Sequence, residues 1–208
     1  MLTENFLRAA IPSLKDALKY DERSEWTRGM HNPWNLPPSD ELDEAWKDLL
    51  YPLNLRVSGT ELDLVGENRT NAARVTGGDY LGVMGVYHNL HCLNALRVQL
   101  HWDYYEAKSL KLSKIASNVS ISGHIAHCID SIRQALTCHP NMAVAVSDYV
   151  NDPSFYVSED VRNSATVQCV NWDSLHGWAK QRALVAGEYK FLPGPWHKSP
   201  DAKNPKDW

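Results

Sequence analysis

Two ten-residue stretches of this chain align with each other without a gap. The first is His88-Asn89-Leu90-His91-Cys92-Leu93-Asn94-Ala95-Leu96-Arg97, and the second is His124-Ile125-Ala126-His127-Cys128-Ile129-Asp130-Ser131-Ile132-Arg133. His, His, Cys and Arg coincide, and Leu100 and Leu136 extend the match. Only 9 of 208 residues are His, so a doubled His-x-x-His-Cys is a strong signal. On a helix each residue turns the chain by about 100°. His88, His91 and Cys92 then share one face, with i, i+3 and i, i+4 neighbours about 5–6 Å apart at Cβ. His124, His127 and Cys128 repeat that face. The next residues on the two faces, Ala95 and Ser131, are small enough to let two helices approach closely.

Two such faces packed together gather four imidazoles. Protonated, they repel; buried and neutral, each still needs partners for its ring nitrogens. A metal ion resolves this by taking one nitrogen of each ring, while the other donates to a neighbouring acceptor. His88, His91, His124 and His127 are therefore the candidate metal ligands and catalytic centre. The competing reading, surface or structural histidines, suits a single His-x-x-His better than two aligned copies. Imidazole accepts zinc, copper, iron and nickel. Thiolate Cys92 and Cys128 would favour zinc. Paired cysteines would leave a His-only site and favour copper in an oxidising compartment. Four cysteines allow three pairings; Cys92 with Cys128, stapling the motif helices, and Cys138 with Cys169 is one of them.

The chain has a length that suits one domain with a real core. A net charge of −4 gives no basic face, which argues against nucleic acid as a partner. No apolar run approaches the roughly 20 residues of a membrane span. Met1 opens a polar segment rather than a signal peptide, and the expectation is a soluble chain. Eight Trp and nine Tyr against three Phe suit a pocket for an amphipathic organic ligand, or simply a core.

The expected fold is mainly α with minor β: a single helical domain with a duplicated metal-binding helix motif. Residues 1–38 read as an N-terminal helix (2–20) and a loop (21–38), 39–190 as the catalytic domain, and 191–208 as an extended tail. Ser39 caps a helix in which Leu42, Ala45, Trp46, Leu49 and Leu50 form one buried stripe, ended by Pro52. Residues 53–82 suggest short strands and Gly-rich turns. Long helices are expected over about 88–108 and 122–138, the second stopped by Pro140. Short strands are expected at 142–146 and 166–170. A last helix runs from a cap at Asp173 to Val185, with Gly187 as its stop.

These residues resemble the UstYa-like family of fungal oxidative enzymes, whose hallmark is two His-x-x-His-Cys motifs. The likeness extends to Pro38-Ser39-Asp40-Glu41-Leu42-Asp43-Glu44-Ala45-Trp46, to Tyr87 through Arg97, to Asp103-Tyr104-Tyr105, and to His124 through Cys138. It covers about Trp34 to Ala186. The resemblance implies a copper-dependent oxidoreductase that uses O2 to tailor a small molecule or peptide by cyclisation, hydroxylation, dehydrogenation or halogenation. It also implies family members as homo- or hetero-oligomeric partners. Members usually carry an N-terminal membrane anchor with the catalytic domain on the lumenal side of the secretory pathway. This sequence departs from that pattern, so a lumenal location holds if the chain is trimmed from an anchored precursor, and the compartment is otherwise open.

Around the motifs, Asn94 and Asp130 are candidates to orient ligands or simply to sit on the helix surface. Arg97 and Arg133 are candidates for a substrate carboxylate or for structural salt bridges. Asp103, Tyr104 and Tyr105 are candidates for substrate contact or aromatic packing, with His101 beside them. His139 and His176 read as structural. Two other functions compete. One is a zinc domain, structural or hydrolytic, although neither motif carries the Glu of His-Glu-x-x-His hydrolases. The other is a non-catalytic metal-binding partner of a catalytic relative.

Overall fold

The structure, a computed structural model, describes residues 14–24, 32–107, 121–142, 146–152, 155–162 and 166–194. The first twelve residues of the helix expected at 2–20, the residues beyond 194, and most of the strand expected at 142–146 fall outside them. The described chain is mainly helical, and its strands form three two-stranded ribbons.

Helix α1 (Asp40–Leu49) forms where capping and patterning agree. Ser39 is extended and its side chain accepts from the Leu42 N–H at 3.1 Å. Asp40, Glu41 and Asp43 place negative charge at the positive end of the helix dipole. Leu42 and Trp46 are buried, and the Trp46 indole donates to the Trp34 carbonyl at 3.1 Å. The following stretch holds one helix that the reading of strands and turns passed over. Helix α2 (Gly59–Leu64) starts at a capping box: Ser58 accepts from the Glu61 N–H, and Glu61 accepts from the Ser58 N–H. Strand β2 (Leu55–Val57) pairs antiparallel with β3 (Tyr80–Gly82). Gly77 and Gly78 make the approach to β3 with φ of 97° and 94°, a conformation side chains resist.

The first motif lies on α3 (Gly85–Leu100). The single helix expected over 88–108 is broken: His101 leaves helical geometry at φ −110°, ψ 36°, and α4 (Trp102–Ala107) follows. The His101 carbonyl accepts from both the Tyr104 and Tyr105 N–H groups, at 3.0 and 3.2 Å. The break turns Tyr105 back toward Arg97 and α1 instead of carrying it onward along α3. The second motif lies on α5 (Ile121–Cys138), which ends two residues before Pro140 as expected.

A β-hairpin that the pattern did not suggest follows, β4 (Val146–Asp152) with β5 (Phe155–Arg162). Strand β6 (Thr166–Val170) is where the sequence placed it. Its partner is β1 (Tyr20–Ser24), in a stretch read as the end of a helix and the start of a loop. Leu14 begins only a single turn before that strand. Helix α6 (Trp172–Lys180) is capped by Asn171 rather than Asp173: the Asn171 side chain accepts from the Ser174 N–H at 2.9 Å. It also stops short of Val185, so Gly187 serves a later turn, with φ of 103°. None of the described helices is long and apolar enough to cross a membrane.

Helix α3 is held from two sides. On one side Cys92, Ala95 and Cys128 form a buried seam with α5, flanked by Leu96, Ile125 and Ile132. On the other, Tyr87 packs with Leu55, Val57 and Ala179, against Trp172 and Trp178. The fully buried Tyr87 hydroxyl lies 3.0 Å from His176 Nδ1. Burial raises the phenol pKa, so Tyr87 keeps its proton in this hydrogen bond. Trp172 stacks on that ring at 5.4 Å, and Asp48 Oδ2 stands 3.8 Å from its Nε2. Asp48 is itself bonded to Lys180 at 2.5 Å.

Burial, followed by the Lys180 charge, lowers the His176 pKa below 6.5, against the pull of Asp48. The unfolded chain therefore binds more protons than the folded one between the folded pKa and 6.5. Stability should fall as pH drops below about 6.5 and level off once His176 protonates in the folded state. His91 acts in the same sense, so His176→Gln should remove part of the slope, read from urea melts at pH 7.5 and 5.5. An unchanged slope in the variant would show that His176 is not a source of it.

Candidate metal centre

The seam between α3 and α5 sets the two motifs antiparallel. His88 faces His127 with ring centroids 5.5 Å apart, and His91 faces His124 at 6.0 Å. The four sequence-nominated histidines thus come together as two cross-helix pairs. The residues beneath them are small or slim, Cys92, Ala95 and Cys128, and none is more than 3% exposed. A larger residue there would wedge the helices apart and separate the rings. His88, His91 and His124 are half-buried and His127 is exposed, so the cluster is open to solvent on one side.

Burial lowers the His91 pKa, and the neighbouring His124 and His88 lower it further. His91 therefore favours the neutral ring, with a lone pair to offer. Among the described residues no group of three or more His, Cys, Asp or Glu side chains is disposed to close on one ion. Pairs are another matter. Two imidazoles sharing one ion, with nitrogen about 2 Å from the metal, place their ring centroids about 5–6.5 Å apart. Both observed separations lie in that range.

All four cysteines are free thiols. Cys92 and Cys128 are fully buried, whereas Cys138 is exposed and Cys169 is half-buried. Burial first, then a hydrogen bond with Cys92, pushes the Cys128 thiol up to about 12. Each motif cysteine lies beside the histidine one turn earlier: Cys92 Sγ is 4.0 Å from His88 Nε2, and Cys128 Sγ is 3.8 Å from His124 Nε2.

The other nominated residues divide clearly. Arg97 lies about 2.5 helical turns from His88, on the opposite side of α3. Its guanidinium donates to Asn94 Oδ1 at 2.9 Å, to Asp43 Oδ1 at 3.1 Å and to the Tyr105 hydroxyl. It also stacks on the Trp46 and Tyr105 rings. Tyr105 in turn donates to Asp43 at 2.6 Å. Arg97, Asn94 and Tyr105 thus form a structural node tying α1, α3 and α4 together. A pocket of about 340 Å³ lies beside that node, lined by Trp46, Leu50, Arg97 and Val98 among others, away from the imidazoles. Asp130 and Arg133 pair with each other at 2.7 Å on the exposed face of α5. Asp103 is exposed, and Tyr104 packs edge-on against Tyr105. His101 ends α3, His139 lies 3.6 Å from Cys138 Sγ, and His176 is the buried partner of Tyr87.

Two residues that bear on the site were not singled out for it, Asn89 and Asp43. Asn89 accepts a hydrogen bond from Ser131, which also contacts His88. Asp43 anchors Arg97. The spacing of the motifs carries no sign of either contact, because each crosses between helices.

Fold and site together define a mainly helical protein built round a cross-helix histidine cluster. The chain belongs to the UstYa family: the family described as "Mycotoxin biosynthesis protein UstYa" matches residues 8–182. It is 29% identical to the UstYa family oxidase phomYc of Diaporthe leptostromiformis, over 86% of this chain and 71% of the relative. It is 26% identical to the UstYa family oxidase aprY of Aspergillus flavus, over 76% of this chain and 49% of the relative. It is 29% identical to the chlorinase cctP2 of Talaromyces islandicus, over 69% of this chain and 42% of the relative. The chain thus spans about half the length of some of the curated relatives it matches. No solved structure matches it.

Arg97→Lys should cost about 2 kcal/mol, since lysine keeps the charge but cannot make the same forked set of bonds. Urea denaturation measures this. A cost below about 0.5 kcal/mol, the range of ordinary surface substitutions, would mean that the node does not brace α3 against α1 and α4.

Proposed function

We propose that this chain, a member of a family whose named relatives are oxidases and a chlorinase, is a copper-dependent oxidative tailoring enzyme of fungal secondary metabolism. The observation that carries the reading is the facing of His88 with His127 and of His91 with His124 at separations that suit a shared ion. His88, His91, His124 and His127 would hold the copper. When bound, copper supplies activation of O2 for functionalising a C–H bond of a small molecule or peptide.

The protein's own contribution is positional. The Cys92–Ala95–Cys128 seam holds the rings at a set separation, and the Arg97 node braces α3 from behind. The depressed basicity of His91 keeps a proton from competing with the ion near neutral pH. The open side at His127 leaves room for substrate to approach. Orientation of the substrate and exclusion of water are the remaining tasks, because the cofactor carries the difficult step. Hydroxylation, halogenation, dehydrogenation and cyclisation all begin from the same activation of a C–H bond.

A second reading has its own observation. The motif cysteines stand within 4.0 Å of histidine nitrogens, which would suit a zinc site with mixed ligands. The raised thiol pKa of Cys128 opposes thiolate formation and favours the histidine-only set. Such a zinc protein, or a non-catalytic copper-binding partner of a catalytic relative, would bind metal without consuming oxygen.

Purified protein loaded separately with copper and zinc should retain copper, with at least one ion per chain by mass spectrometry. His124→Ala/His127→Ala should lose it. Oxygen uptake in the presence of a candidate substrate separates an enzyme from a metal carrier. Preferential retention of zinc, or copper undiminished in the double variant, would overturn the proposal.

A further inference from the structure

The repeat is broken where it matters for the ligands. Ser131 Oγ on α5 lies 3.3 Å from His88 Nδ1 and 3.1 Å from Asn89 Oδ1 on α3. The Asn89 amide oxygen can only accept, so the serine proton points to it. Ser131 Oγ is then left to accept, and His88 Nδ1 must carry the hydrogen that it receives. The chain of bonds runs from His88 Nδ1–H to Ser131 and from Ser131 O–H to Asn89. It leaves the lone pair on His88 Nε2, the nitrogen that Cys92 Sγ approaches at 4.0 Å. The second motif cannot build a counterpart, because Ile125 stands where Asn89 does and Ala95 stands where Ser131 does.

We propose that Ser131, oriented by Asn89, is a positioning residue that holds His88 as the Nδ1–H tautomer and presents its Nε2 to the metal. The two halves of the site are thereby unequal: His88 is set in advance by a contact from the facing helix, and His124 is not. The inference deepens the copper reading and rests on it for the identity of the ion. The tautomer itself is a property of the metal-free chain.

Ligating histidines are generally held in this way by a partner on the second nitrogen. Loss of that partner typically lowers metal affinity by about 10–100-fold. Free imidazole side chains, by contrast, favour the proton on Nε2.

The test uses the full chain. Nitrogen NMR of histidine-labelled, metal-free protein near neutral pH, with His88 assigned through His88→Gln, reports which ring nitrogen carries the proton. Wild type is expected to show His88 protonated at Nδ1. Ser131→Ala should shift His88 toward Nε2–H and leave His124 unchanged, and Ser131→Thr should restore the wild-type pattern. Copper titration should then show affinity lowered about 10–100-fold in Ser131→Ala and recovered in Ser131→Thr. Wild-type His88 protonated at Nε2, or a tautomer unmoved by Ser131→Ala, overturns the proposal. A wild-type chain that shows the predicted tautomer yet binds no copper overturns the metal reading and leaves the role of Ser131 in setting the ring intact.

Discussion

The close approach of α3 and α5 is the constraint on which the rest depends. It is made possible by small side chains at the seam, Cys92, Ala95 and Cys128, each essentially removed from solvent. Close-packed interiors tolerate little change in volume, so this contact sets the distance between the two motif faces. The imidazole separations follow from it. The histidines do not hold the helices together; the seam beneath them does, and the imidazoles inherit their geometry.

The remainder of the fold acts as a brace for α3. Tyr87 locks the start of the helix against α6 through His176, in a layer of Trp172 and Trp178. Arg97 locks its later turns against α1 and α4 through Asp43 and Tyr105. The two locks lie on flanks away from the imidazoles. This explains why residues such as Arg97 and Tyr105, which neighbour the motif in sequence, do not neighbour the candidate metal in space. Arg97 and Arg133 occupy equivalent places in the repeat, yet one is the centre of a node and the other makes an exposed ion pair. The same residue type thus does different work on the two helices, because each helix meets different surroundings.

Local signals carried most of what was legible in the sequence. The Ser39 cap, the Leu42–Trp46 stripe, the α5 helix and the strand at 166–170 each follow from residues close together in the chain. The facing of the four histidines was also legible, because helical spacing and small seam residues encode it. The capping box at Ser58 and Glu61 was readable but sat in a stretch dominated by turn residues. What could not be read depends on distant partners. Strand β1 exists through its pairing with β6, and the break at His101 is matched by contacts of Tyr105 with Arg97 and Asp43. The bond from Ser131 to His88 is of the same kind, since a hydroxyl on one helix gives no sign of which ring it will meet on another.

X-ray absorption at the copper edge of the loaded protein tests the central claim most directly, because it reports the atoms bound to the metal. The account predicts a first shell of nitrogen and oxygen only, with the outer-shell scattering that imidazole rings produce, drawn from His88, His91, His124 and His127. A shell containing sulfur, or one without imidazole scattering, would contradict it.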